Sequence, residues 1–91
     1  MADPDWLAGY AGAEVVIDTD AGYLVIGRLD RIGPDHLELA EADLHDHAEA
    51  NSTKEVYVIE SQRLGVRVNR RRVSLVRARL IAISRLDEIA R

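Results

Sequence analysis

Residues 12–29 read GAEVVIDTDAGYLVIGRL and contain two apolar stretches separated by a turn. Apolar and polar side chains alternate along the first stretch, Ala13–Thr19, and again along the second, Tyr23–Asp30, as is typical of half-buried β-strands. The tripeptide Asp-Ala-Gly at 20–22 is a turn sequence, so the two stretches are predicted to form a hairpin. Gly27 lies inside the second strand, where a glycine indicates a bend or the close approach of another backbone.

Three further strands are predicted outside this hairpin. Turn residues at 33–35 precede a third strand, His36–Leu44. Near the C-terminus, Arg71–Ala78 and Arg79–Ser84 are predicted as the fourth and fifth strands. The side chains expected to face the core of the sheet are Leu37, Leu39, Val73, Leu75, Ile81 and Ile83.

A short helix is predicted at the N-terminus, over Asp5–Tyr10. Asp3 can cap it, because an aspartate before the first turn accepts a hydrogen bond from a free backbone N–H. Trp6 and Leu7 are expected to be its buried anchors. At the other end of the chain, Arg85–Arg91 is expected to form a turn of helix.

A second helix, Thr53–Leu64, is predicted as an insert between the third and fourth strands. Ser52 and Glu55 have the spacing of a capping box, and Gly65 suits the position just past the end of a helix. The alternative is a strand, because the sequence Val-Tyr-Val-Ile at 56–59 has a high β propensity. The capping residues favour the helix.

The composition limits the class of protein. The chain of 91 residues has room for a single domain spanning residues 1–91. It has no cysteine, which excludes disulfides, thiolate zinc sites and thiol nucleophiles. It shows no signal peptide and no apolar run near the ~20 residues of a membrane span, so a cytoplasmic protein without a membrane partner is expected.

Charge is distributed unevenly along the sequence. Residues 1–50 have twelve acidic and two basic side chains, whereas residues 51–91 have four acidic and ten basic ones. A basic half can indicate contact with nucleic acid. The alternative, which we favour, is that the two halves attract each other within a chain or between subunits.

The residue spacing resembles that of the Sm-like family. The first family motif has glycines, aliphatic residues and a leucine at fixed intervals, and six positions match it without a gap: Gly12, Val15, Ile17, Gly22, Gly27 and Leu29. The segment 76–84 resembles the second motif, an apolar residue and an arginine before the last strand. The Asp-x-His-Asp, Asn-Arg-Arg and Ser-Arg-Leu-Asp sequences are similar to an uncharacterised bacterial branch of the family.

The match to the Sm-like motifs is incomplete. Ala21 stands where the first motif has an aspartate, although Asp20 is adjacent. Ala78 stands where the second motif has a glycine, which leaves Arg77 as the matching cation. The insert at 51–65 is longer and more helical than the connecting loop of the family.

The resemblance implies a mostly β fold: a small, strongly bent, five-stranded Sm-like barrel with a short N-terminal helix and a helical insert between strands 3 and 4. It also implies assembly, because an open sheet leaves unpaired backbone groups at its edges. In that family the fourth strand of one subunit pairs with the fifth of the next. Strands 71–78 and 79–84 would then join copies of this chain in a homo-oligomeric ring of about five to seven subunits.

A site for single-stranded RNA at the inner rim of the ring is the first candidate that the resemblance implies. Asp35 and His36 stand nearest to the base-contacting loop residues of the family, and Arg77 matches its cation, with Arg79 nearby. An imidazole can stack on a base, which is worth about 1–3 kcal/mol. The carboxylate of Asp35, in contrast, repels phosphate.

The second candidate is a set of residues that we call the basic segment: Arg67, Asn69, Arg70, Arg71 and Arg72. Four arginines in six residues could bind phosphates with a strong dependence on salt. The alternative, which we favour, is a solvated turn that pairs with acidic side chains of a neighbour, such as Asp43 and Asp46.

The third candidate is a metal site formed by Asp43, His45 and His47, which would share one face of a strand. Ordinary hydrogen bonding explains the same residues more simply, and no cofactor is predicted.

No catalytic motif is visible: there is no glycine-rich phosphate loop, and the serines have no histidine-plus-acid neighbourhood. Two functions therefore remain, an RNA-binding ring or a non-enzymatic scaffold ring whose helix Thr53–Leu64 recruits another protein.

Overall fold

Five antiparallel strands form the body of the protein in a computed structural model that describes residues 5–46 and 53–90. Their order in the sheet is β4-β3-β2-β1-β5, so consecutive strands β4 and β5 lie at opposite edges. An α-helix, α1, connects β3 to β4, as predicted. The bounds are β1 Glu14–Thr19, β2 Tyr23–Ile32, β3 His36–Asp46, α1 Lys54–Leu64, β4 Arg70–Val76 and β5 Leu80–Arg85. Short 3₁₀ helices occupy Trp6–Tyr10, Arg77–Arg79 and Leu86–Glu88.

Gly27 lies where the backbone of β2 closely approaches that of its neighbour β3. A Cβ atom added at Gly27 would lie 2.8 Å from the Cβ of Ala42 and 2.9 Å from its Cα, which is too short for any side chain. The register between β2 and β3 also shifts on either side of Arg28, which is typical of the bulges that bend a strand. The close approach predicted from the mid-strand glycine is confirmed.

The sheet buries apolar side chains on both of its faces. The inner face contains Leu7, Val15, Ile17, Val25, Leu29, Leu37, Leu39 and Ala42. The outer face packs against α1 and the C-terminal turn, through Val16, Leu24, Ile26, Tyr57, Val58 and Leu86. Because both faces are covered, β1 and β2 read as runs of aliphatic residues as well as alternating ones.

Helix α1 has the ends that its sequence indicates. The hydroxyl of Thr53 accepts a hydrogen bond from the Val56 N–H at 3.3 Å. Gly65 ends the helix with a φ of 96°, in the left-handed region that favours glycine. The helix, rather than the strand alternative, is therefore confirmed, while the capping-box serine at 52 lies outside the described residues. No helix in the ranges 5–46 and 53–90 is long and apolar enough to cross a membrane.

Some of the expected core positions are wrong. Trp6 is 61% exposed, and the N-terminal turn is anchored by buried Leu7, with Tyr10 packed against the same cluster. Ile81 is 67% exposed, because a bulge pairs Thr19 with Leu80 while Asp18 pairs with Ala82. This shift lets Leu80 pack inward in the place predicted for Ile81.

The other predicted positions agree with the packing. Leu37 and Leu39 are fully buried, and Val73, Leu75 and Ile83 pack against the inner cluster. The strands predicted as 71–78 and 79–84 are separated by the 3₁₀ turn Arg77–Arg79, so β4 ends earlier than predicted. The N-terminal helix is a 3₁₀ helix capped by Asp5, and Asp3 lies outside the described residues.

Candidate nucleic-acid interface

The β2–β3 loop and the turn between β4 and β5 are joined by hydrogen bonds. The Arg77 N–H donates to the Asp35 carbonyl at 2.9 Å, and the Arg77 guanidinium donates to the Gly33 carbonyl at 2.8 Å. The Gly33 N–H in turn donates to the His36 carbonyl at 2.8 Å. Three of the four residues predicted for the rim, Asp35, His36 and Arg77, are therefore brought together. We call this group the rim site.

His36 presents an exposed ring at the rim site. Its side chain is 45% exposed, and Nδ1 lies 2.9 Å from Oδ1 of Asp35. This hydrogen bond lowers the pKa of the Asp35 carboxyl below its usual range. An oriented, exposed imidazole offers a flat surface on which a nucleobase can stack.

Arg77 has an acidic partner that the sequence did not reveal. Its Nη1 and Nη2 atoms lie 2.7 and 3.1 Å from the two carboxylate oxygens of Asp5, in the forked geometry of a bidentate ion pair. Hydrogen bonding to Arg77, and then to the Leu7 N–H, lowers the pKa of Asp5. The pair joins residues 72 positions apart, so no local spacing could have indicated it.

Arg79 lies apart from the rim site. Its guanidinium is 3.3 Å from the Asp20 carboxylate in the β1–β2 turn, and its carbonyl accepts the Asp20 N–H at 3.0 Å. The Arg79 pairing therefore fastens the β4–β5 turn to the β1–β2 hairpin. The contacts of Arg79 are thus with Asp20, and its participation in RNA binding stays a prediction.

The basic segment is dispersed over several partners. Arg67 pairs with Glu60 at 2.9 Å, and its guanidinium also lies 5.3 Å from the centroid of the Tyr57 ring. Arg72 lies 3.3 Å from Glu38 and 3.5 Å from Asp30, on strands β3 and β2. These contacts agree with the interpretation that the arginines serve as charge partners.

The remaining members of the basic segment have different surroundings. Asn69 donates from its amide to Asp43 at 3.0 Å and to the Leu44 carbonyl at 3.1 Å. Arg70 donates to the Asn69 carbonyl at 3.0 Å. Asn69 is therefore part of the packing of β3, and it is unavailable to a ligand.

Asp43 is 1% exposed and is fully used in a buried hydrogen-bond cluster. Its carboxylate accepts hydrogen bonds from the Tyr57 hydroxyl and from the Asn69 side-chain amide. The His45 ring stacks on the Tyr57 ring with their centroids 3.9 Å apart, and His47 lies outside the described residues. Within 5–46 and 53–90, no group of three or more histidine, aspartate or glutamate side chains is arranged to hold a metal ion.

Ion pairs connect the acidic first half of the chain to the basic second half. Each pair joins residues from different elements, and three of them fall at strand ends or turns. The four shortest are Lys54–Asp18 at 2.7 Å, Arg77–Asp5 at 2.7 Å, Arg79–Asp20 at 3.3 Å and Arg72–Glu38 at 3.3 Å. The uneven charge is thus partly neutralised within a single chain.

Solved structures with the same architecture exist. No family model and no curated protein sequence matches the chain. The Sm protein of Pyrococcus abyssii, solved in complex with a uridine heptamer, is 17% identical, has a TM-score of 0.61, and covers 92% of this chain and 99% of its own. A chain of the NatC complex bound to CoA is 16% identical with a TM-score of 0.58, over 96% of this chain and 91% of that one. At these identities the likeness concerns the fold, and it shows that this chain has the Sm fold.

Proposed function

We propose that the chain forms a homo-oligomeric ring that binds single-stranded RNA through the rim site, a binding rather than a catalytic function. The observation that carries the proposal is the junction between the two loops. It places the exposed His36 ring and the Arg77 guanidinium at one point of the fold. The similarity to a protein solved with a uridine heptamer supports RNA as the ligand.

The chemistry of the rim site suits a nucleobase. The imidazole of His36 can stack on the face of a base, and a guanidinium plane can cover the other face or contact the phosphate. Asp35 holds the ring in orientation through its hydrogen bond to Nδ1. Stacking is tolerant of sequence because every base has a π face, so we expect little preference among bases from this contact alone.

Replacing His36 with alanine is expected to weaken the binding of fluorescent oligo(U) by about tenfold. That factor corresponds to about 1.4 kcal/mol, within the range for one base stacked on a side chain. Fluorescence anisotropy at ~0.15 M salt measures the change, since lower salt inflates non-specific binding. The fold should persist, because among residues 5–46 and 53–90 the His36 side chain forms its hydrogen bond with exposed Asp35 alone.

Arg63→Ala is the matched control for this measurement. Arg63 is an exposed cation in the last turn of α1, outside the rim site. Its removal is expected to leave oligo(U) affinity unchanged. If His36→Ala binds like the wild type while Arg71→Ala loses affinity, the basic segment rather than the rim site contacts RNA.

The proposal of a ring rests on the two sheet edges. In the part of the chain that the structure describes, β4 pairs only with β3 and β5 pairs only with β1, so each has one side without a partner strand there. An apolar groove of about 260 Å³ runs beside β4, lined by Thr19, Ala21, Tyr23, Val25, Leu44, Val73, Ser74 and Leu75. Exposed Ile81 projects from β5, the opposite edge. Pairing β5 of one copy with β4 of the next would satisfy both edges and cover these apolar surfaces.

Ile81→Asp is expected to convert the assembly to a monomer of 10.1 kDa in sedimentation at micromolar concentration. The substitution places a charge at the centre of the proposed joint, where it would be desolvated without a partner. Val68→Asp, a change at another exposed aliphatic residue outside the strands, should leave the assembly intact. A wild-type protein that sediments as a monomer would contradict the ring.

A second candidate is a scaffold ring that recruits a protein through the predicted helix at 53–64. Helix α1 leaves Val56 45% and Leu64 75% exposed, although its Tyr57 and Val58 pack on the sheet. The similarity to a chain of the NatC complex supports a role in a protein assembly. Under this alternative, the wild-type protein would show no oligo(U) binding at ~0.15 M salt.

A further inference from the structure

We propose that Asp5 regulates phosphate binding at the rim site by occupying the guanidinium of Arg77. In this arrangement the carboxylate takes the position that a backbone phosphate would take. The inference deepens the proposed function, on which its relevance to RNA rests. Asp5 then limits the affinity of the rim site for phosphate, and the N-terminal 3₁₀ helix that it caps lies next to the rim site.

The geometry leaves Arg77 few free donors. Its Nη1 contacts the Asp5 carboxylate at 2.7 Å and the Gly33 carbonyl at 2.8 Å, and its Nη2 contacts Asp5 at 3.1 Å. The Arg77 side chain is only 23% exposed as a result. A phosphate and a carboxylate accept the same two parallel N–H bonds from a guanidinium, so both cannot bind this edge of Arg77 at once.

The charge of the rim site follows from this pairing. With Asp5 in place, the carboxylates of Asp5 and Asp35 outnumber the single cation Arg77, and the site repels phosphate. Displacing Asp5 restores an unpaired cation at the loop junction that also contains His36. The pair is partly exposed, and such pairs are weak enough for a multiply charged ligand to displace them.

Asp5 also caps the N-terminal 3₁₀ helix, which must be separated from its effect on Arg77. Its Oδ1 accepts the Leu7 N–H at 3.1 Å. Asparagine is as good a cap as aspartate and has nearly the same shape. Asp5→Asn therefore removes the negative charge and retains the cap.

The test compares Asp5→Asn with the wild type, using oligo(U) and inorganic tripolyphosphate as probes. We expect Asp5→Asn to bind each probe about threefold to tenfold more tightly at ~0.15 M salt. We also expect its oligo(U) affinity to fall more steeply with salt, by about one additional phosphate contact. Trp6, the single tryptophan, adjoins Asp5, and its emission reports whether tripolyphosphate displaces the carboxylate.

Asp20→Asn is the matched control, because it removes the equivalent charge from the Arg79 ion pair outside the rim site. It should bind both probes like the wild type, and melting should show that both variants are folded. Equal or weaker binding of tripolyphosphate by Asp5→Asn would overturn the role of Asp5. If tripolyphosphate binding rises while neither protein binds oligo(U), the role of Asp5 stands and RNA is the wrong ligand.

Discussion

Replacing Gly27 with alanine is expected to lower the free energy of unfolding by about 1–3 kcal/mol, the usual cost of inserting a methyl group into a packed core. The new Cβ would lie 2.8 Å from the Cβ of Ala42 and 2.9 Å from its Cα. Both residues are buried on paired strands, so relief requires the backbones of β2 and β3 to separate. Urea unfolding followed by circular dichroism measures the change.

Two further variants distinguish this contact from a general effect of alanine. Gly9→Ala should have almost no effect, because nothing lies within 4 Å of a Cβ at that position. Adding Ala42→Gly to Gly27→Ala should recover part of the loss, since it removes the atom that the new methyl group meets. A Gly27→Ala protein as stable as the wild type would show that the two strands are farther apart than described.

A second large effect is expected when the pH is raised from 10 to 12. Burial, and then the hydrogen bond to Asp43, raise the pKa of Tyr57 to about 12 from its usual 10.0. The folded state therefore binds the phenolic proton more tightly than the unfolded chain. This contribution is fully present below pH 10 and disappears as the pH rises through 12, a loss on the order of 2–3 kcal/mol in the free energy of unfolding.

Tyr57→Phe tests the source of this pH dependence. It should abolish the alkaline step, and at neutral pH it should cost about 1–3 kcal/mol, because buried Asp43 loses one of its two side-chain donors. Tyr23→Phe keeps the Tyr57–Asp43 contact and should retain the step. Unfolding by urea at several alkaline pH values provides both measurements. If Tyr57→Phe still loses stability between pH 10 and 12, the loss comes from the titration of another group.

The sequence was sufficient for the elements whose signal is local. Alternation within residues 12–29 predicted the hairpin, and Gly27 indicated a close approach that the contact with Ala42 confirms. The ends of α1 followed from residues at its boundaries, although Thr53 is the cap that the structure shows. Each of these features depends on side chains within a few positions of one another, where propensity and spacing are informative.

The sequence did not indicate the features that depend on tertiary packing. Ile81 was expected inside because strict alternation continues through β5, but the bulge opposite Thr19 exchanges it with Leu80. Asp43 was considered as a metal ligand. Helix α1, however, packs on the sheet so that its Tyr57 hydroxyl donates a hydrogen bond to the Asp43 carboxylate. The contact of Asp5 with Arg77 crosses almost the whole chain, so nothing near either residue indicated it.

The connection between β4 and β5 limits how far apart the two edges of the sheet can lie. These strands occupy the two ends of the sheet order, and three residues, Arg77–Arg79, connect them. So short a tether spans at most about 14 Å from Val76 to Leu80. The sheet must therefore curl until its ends come within that distance, and lengthening this tether would allow the two edge strands to move apart at the seam.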